Sequence, residues 1–179
     1  MQELQGRLHE AERCYRQTLD AATETGVQHI PFVGMAQVGI GRLLYEWNDL
    51  DGATHHLTTA IEAGQEQGEM LTGPGWHMLA TGYLGLARVL LARGDPDGAL
   101  ELIQRAEALA REHDPSQIPR IAAARVRLWL ALGNLDAAMR WAHECGLDAN
   151  DEPTYPREPE HLALARVLTA VGKSKEAGR

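Results

Sequence analysis

Apolar residues recur along the chain at spacings of three and four, interrupted by short polar turns. The clearest stretch is Leu84, Leu86, Ala87, Leu90 and Leu91, then the break Arg93-Gly94-Asp95-Pro96, then Ala99, Leu102, Ile103, Ala106 and Leu109. That spacing keeps one face of a 3.6-residue helix apolar on either side of the break. It predicts helix, tight turn, helix. The turn has the form Gly-x-x-x-x-Ala, and the chain repeats it at intervals of roughly 40 residues, as two-helix repeats do. The copies are Gly6–Ala11, Asn48–Ala53, Gly94–Ala99, Gly133–Ala138 and Gly172–Ala177.

Each position has a physical task. Gly, or Asn at 48, can take the left-handed conformation that ends a helix. The Asp or Asn that follows can accept from the free amides of the next helix. Pro96 costs nothing near that helix start, because its missing N–H would be unpaired there. The Ala at the end of the motif belongs where two helices cross closely.

The turns also set a register. Seven residues before them stand Gly41, Ala87, Val126 and Ala165, small or modest; four before stand Leu44, Leu90, Trp129 and Leu168, all large; nine after the first residue stand Tyr15, Leu57, Ile103 and Ala142. This arrangement resembles the tetratricopeptide repeat and covers the whole chain. The expected fold is all-α, a right-handed α-α superhelix built as a solenoid of helical hairpins. The expected layout is a single helical-repeat domain over 1–179, with repeat fragments about 1–26, 29–67, 74–113, 115–146 and 159–179. Loops are expected at Gly26–Pro31, Gly68–Gly75 and Gly146–Pro159. Both ends fall inside repeats without a polar capping helix, which reads as a piece of a larger protein or as open ends that self-associate.

Bulk properties narrow the function. High Ala and Leu with 5% aromatic residues suits helix-on-helix packing. A net charge of −8 argues against direct nucleic-acid contact, which needs a basic face. Cys14 and Cys145 stand far apart, consistent with a reduced, cytoplasmic protein. No leader and no long apolar run suggests secretion or membrane spanning.

Little in the sequence points to chemistry. Gly172-Lys173-Ser174 resembles the end of a phosphate loop, but the required Gly five residues earlier is Val167, and the context is helical. No histidine pair has metal-ligand spacing. No Ser or Cys sits in a nucleophile context, so no catalytic residue, metal site or cofactor is assigned to this segment.

One column is unexpected. Six residues before the turns stand Arg42, Arg88, Arg127 and Arg166, with Tyr45 and Leu84 near them in the register. On a concave face such a ladder would bind a carboxylate, a phosphate or an acidic helix over an apolar floor. The plainer alternative pairs each arginine with an acid of a neighbouring helix, and the apolar floor then simply widens the core.

The last two repeats carry a more specific likeness. Gly133-Asn134-Leu135, Trp141-Ala142, Gly146-Leu147, Asp151-Glu152-Pro153, Tyr155, Arg157-Glu158 and Glu160-His161-Leu162-Ala163-Leu164-Ala165-Arg166-Val167-Leu168 resemble the helical-repeat segment of large LuxR-type transcriptional activators of the maltose-regulator (MalT) class. The resemblance implies a parent protein with an ATP-binding N-terminal signalling module and a C-terminal helix-turn-helix. This segment would then be a non-catalytic sensor taking a small-molecule inducer, a protein partner or other domains of the parent, with ATP confined to the other module. A generic adaptor that binds a partner peptide or protein is the competing function.

Overall fold

The structure is a computed structural model that describes residues 7–26, 31–67, 73–148, 151–152, 154 and 157–177, with residues 31 and 173–177 described by backbone only. Every regular element among them is helical: α1 (Leu8–Thr25), α2 (Pro31–Glu46), α3 (Leu50–Gln67), α4 (Gly73–Ala92), α5 (Pro96–His113), a 3-10 turn at Pro115–Gln117, α6 (Ile118–Ala131), α7 (Leu135–Glu144) and α8 (Glu158–Ala177). Contacts gather the chain into two compact units, Met1–Asp114 and Pro115–Arg179, where the sequence reads as one domain.

Three turns are built alike. Asn48 (φ 61°), Gly94 (φ 80°) and Gly133 (φ 69°) are left-handed. The next amide in each reaches back across the turn: Asp49 N to Leu44 O at 2.8 Å, Asp95 N to Leu90 O at 2.9 Å, Asn134 N to Trp129 O at 2.8 Å. That bond satisfies a carbonyl the ending helix leaves open. The same residue's side chain then caps the following helix. Gly52 N donates to Asp49 Oδ1 and Gly98 N to Asp95 Oδ1, both at 2.9 Å, and Ala137 N donates to Asn134 Oδ1 at 3.1 Å. One side chain and one left-handed residue therefore close each hairpin.

The other two turn copies fare differently. Gly6 lies outside the described residues, though Ala11 is buried as its column requires. At Gly172 there is no turn: α8 continues unbroken to Ala177. The physical reason is the next residue. Lys173 has no acceptor to cap a new helix, and nothing else forces Gly172 out of helical geometry. Gly73-Pro74-Gly75, expected in a loop, instead opens α4, where proline suits the first turn.

In the first unit α2 pairs with α3 and α4 with α5, while α4 also packs on α2 and α3, and α1 packs on α2. Val38, Ala53, Leu57, Ala60, Met78 and Val89 form the buried seam. The crossings are close because side chains are missing. A Cβ at Gly41 would lie 2.6 Å from Leu57 Cγ, and one at Gly85 would lie 2.8 Å from Leu57 Cδ2. Leu57 thus fills two glycine recesses on neighbouring helices. The motif alanines Ala53, Ala99 and Ala138 are at most 1% exposed. At the end of this unit Trp76 of α4 stacks on His113 of α5, with ring centroids 3.7 Å apart.

In the second unit α6 pairs with α7 and with α8 around Ala123, Val126, Ala138, Ala163 and Val167. Arg157 fastens the start of α8 by donating to Cys145 O at 2.7 Å and pairing with Glu160 at 2.7 Å.

Two substitutions test this wiring. Asp95→Ala removes a cap and is expected to lower the unfolding free energy by about 1 kcal/mol. Ala99→Leu overpacks a crossing and is expected to cost about 1–3 kcal/mol. Urea unfolding followed by far-UV circular dichroism measures both.

Candidate binding surfaces

Of the arginine column, Arg42 and Arg88 stand in the first unit and Arg127 and Arg166 in the second. Arg88 is committed locally: its Nη2 meets Glu46 Oε1 of α2 at 2.8 Å, and its guanidinium lies 4.2 Å above the Tyr45 ring. Tyr45, expected on a binding floor, is therefore the stacking platform for that arginine. Arg42 is half-buried and Arg127 exposed, and both are engaged within the protein. Arg166 is exposed on α8. Leu84 is 7% exposed, so its side chain belongs to the core and offers little to a ligand.

A second pair, Arg93 with Asp51, joins the same two hairpins through their turn ends. Both rungs lie within the first unit.

A different concavity lies in the first unit. Residues of α1, α2 and α3, with Met78 of α4, line a groove of about 390 Å³ whose walls include Leu19, Val33, Gly34, Gln37 and Ala63. Gly34 lets Met78 of α4 lie close against α2, since a Cβ there would lie 2.9 Å from Met78 Cε. Glu62 and Glu66, one helical turn apart on α3, rim it, and among the described residues no Lys or Arg lines it. The groove therefore suits a neutral or cationic organic group, or an apolar helix edge, rather than the anion anticipated from the arginines. The sequence register drew attention to Gly41 but not to Gly34 or to the Glu62–Glu66 pair. Their spacing on facing helices was the available signal.

Gln37 also carries a polar link beneath the groove. Its Oε1 meets His56 Nδ1 of α3, which puts the imidazole proton on Nδ1 when the amide oxygen faces the ring. Burial, then the neighbouring His55 and Arg16, lower the His56 pKa, with Asp49 opposing. His55 and His56, adjacent in sequence, bring their rings to 5.4 Å edge-on rather than diverging. Among the described residues no group of three or more His, Cys, Asp or Glu could hold a metal ion, and no helix is long and apolar enough to cross a membrane.

The helical hairpins, their left-handed turns and the Ala crossings can be set against known proteins. The family model for the MalT-like TPR region matches residues 1–179. This chain belongs to the MalT-like TPR family. No curated protein matches it significantly. Among solved structures, nearly identical TPR-like repeats assigned to a kinesin light chain of Podosopora anserina are similar in fold. The Q17M form gives a TM-score of 0.65 at 20% identity, covering 99% of this chain and 84% of that one. A second structure of the same repeats gives 0.64 at 21% identity, covering 99% and 85%. At that identity the likeness concerns the fold, a TPR-like helical solenoid, and the MalT-like TPR assignment rests on the family model.

Two measurements probe these residues in the MalT-like TPR chain. Arg88 and Glu46 are partly exposed, so a double-mutant cycle with Arg88→Ala and Glu46→Ala is expected to give a coupling of roughly 0.2–1 kcal/mol. His56 supplies a pH signature. Its folded pKa lies below the ordinary value of 6.5, so its contribution to stability is complete above that value. The contribution is lost as pH falls through the lowered folded pKa. Melting temperature is expected to drop on acidification below about pH 6.5, and His56→Gln is expected to flatten that slope.

Proposed function

We propose that this chain is the non-catalytic sensing segment of a MalT-type LuxR transcriptional regulator. The groove between α1, α2 and α3 takes a small neutral or cationic inducer. The observation that carries this reading is the match of the MalT-like TPR model to residues 1–179. The groove supplies the physical means: apolar walls from Leu19, Val33 and Met78, an amide at Gln37, and an acidic rim at Glu62 and Glu66. An inducer bridging α1, α2 and α3 would stabilise one arrangement of these helices over others. It thereby biases the on–off equilibrium of a regulator whose ATP-binding and DNA-binding modules lie elsewhere in the parent. The setting is cytoplasmic, as for any protein that controls transcription in a bacterial cell.

A second reading has its own support. Phe32, at the lip of α2, is 72% exposed, as an anchor for a partner peptide would be. On that reading the chain is an adaptor without an inducer.

Calorimetry of the full chain against a panel of neutral and cationic metabolites separates the two. A metabolite that binds, and whose affinity falls about tenfold or more in Ala63→Trp, supports the sensor. Binding of peptides alone, weakened by Phe32→Ala, supports the adaptor. Metabolite binding indifferent to Ala63→Trp would remove the groove from the account.

A further inference from the structure

Gln37 stands between the groove and a histidine. It lines the groove from α2, and its amide oxygen meets His56 Nδ1 of α3. His56 is half-buried and lies one helical turn before Ala60, which lines the groove as well. A primary amide has a donor end and an acceptor end. One end is committed to the imidazole, so the other is what Gln37 offers to a ligand.

Which end that is depends on the imidazole. A neutral histidine has one nitrogen that donates and one that accepts. In one tautomer Nδ1–H donates to the Gln37 oxygen and leaves the amide NH2 free. In the other, Nδ1 accepts from the NH2 of an amide turned over, and the oxygen is free. Protonated histidine donates from both nitrogens and allows only the first arrangement. Acid therefore fixes the amide with its donors outward and also sets a positive charge close to the groove wall. Both changes oppose a cation, which brings its own donors and needs oxygen around it.

We propose, resting on the groove being the inducer site, that its ligand is an organic cation and that His56 is the positioning residue that admits it. Uncharged, His56 lets Gln37 turn its oxygen to the ligand; charged, it expels the ligand. The exposed carboxylates Glu62 and Glu66 at the rim favour the same charge. The groups around His56 set where the change falls. They are Gln37 of α2, His55 of α3, Arg16 of α1, itself paired with Glu12, and Asp49 in the turn before α3. Burial first, then His55 and Arg16, hold the His56 pKa below 6.5 against Asp49. Affinity for a cation is therefore complete above that value and is lost as pH falls through the lowered folded pKa. By linkage a bound cation weakens proton binding at His56 by the same factor.

The probe is n-butylammonium, with neutral 1-butanol as its control. Binding to the full chain is followed by NMR from about pH 7.5 to about pH 5 at constant ionic strength. Butylammonium is expected to bind on the order of fivefold more weakly at the acid end, and butanol equally throughout. His56→Gln keeps an uncharged partner for Gln37 and is expected to level the butylammonium curve, while any contribution of Glu62 and Glu66 survives in it. A second measurement needs no variant: butylammonium, and not butanol, lowers the pH at which the His56 ring signals titrate. Butylammonium binding that Ala63→Trp weakens, but whose pH dependence persists in His56→Gln, would overturn the role of His56 and leave the groove as the inducer site. So would butanol binding without butylammonium. Failure of the groove itself reads differently: no binding of either probe, or butylammonium binding indifferent to Ala63→Trp, removes the site and the role of His56 with it.

Discussion

Everything in this fold depends on how closely two helix backbones can approach. Leu57 shows the constraint most directly. It projects from α3 into the space where Gly41 of α2 and Gly85 of α4 lack side chains, so one residue locks three helices together. Ala53, one turn earlier on α3, meets the same crossing, its carbonyl oxygen 3.2 Å from where a Gly41 Cβ would lie. Dispersion falls steeply with distance, and a seam so narrow gains contact from every atom along it. The price is intolerance: positions of this kind accept only the smallest residues, and their periodic return along the chain is what makes the architecture readable.

Around that hard seam the polar parts are comparatively soft. The pairs Arg88–Glu46 and Arg93–Asp51 bridge neighbouring hairpins at their exposed edge, where water competes for both partners. The Gln37–His56 contact lies deeper and couples α2 to α3 beneath the groove. The packed crossings hold register, while the polar pairs add little to it.

Much of this was legible from residue order because turn chemistry and crossing chemistry are both local. Asn48, Gly94 and Gly133 each carry the left-handed backbone, and Asp49, Asp95 and Asn134 each cap, as their side chains alone imply. The same logic, applied without its capping term, made a turn of Gly172, where Lys173 offers no acceptor and the helix runs on. The site was less legible. A column of arginines is visible in one dimension, but whether each meets a neighbour's carboxylate depends on the facing helix. Glu46 of α2 supplies that partner to Arg88 of α4 from 42 residues away, a pairing no local motif announces. The groove was hidden for a similar reason: Leu19, Gln37 and Ala63 come from three helices and share no motif.

The self-contained wiring of the turns bears on where the sequence can change length. Each hairpin closes through bonds made within a handful of residues, so one inserted residue at Asn48-Asp49 or Gly94-Asp95 would rotate the following helix by about 100° and turn its apolar stripe away from the seam. Length at these corners is therefore held as strictly as side-chain size is held at the crossings.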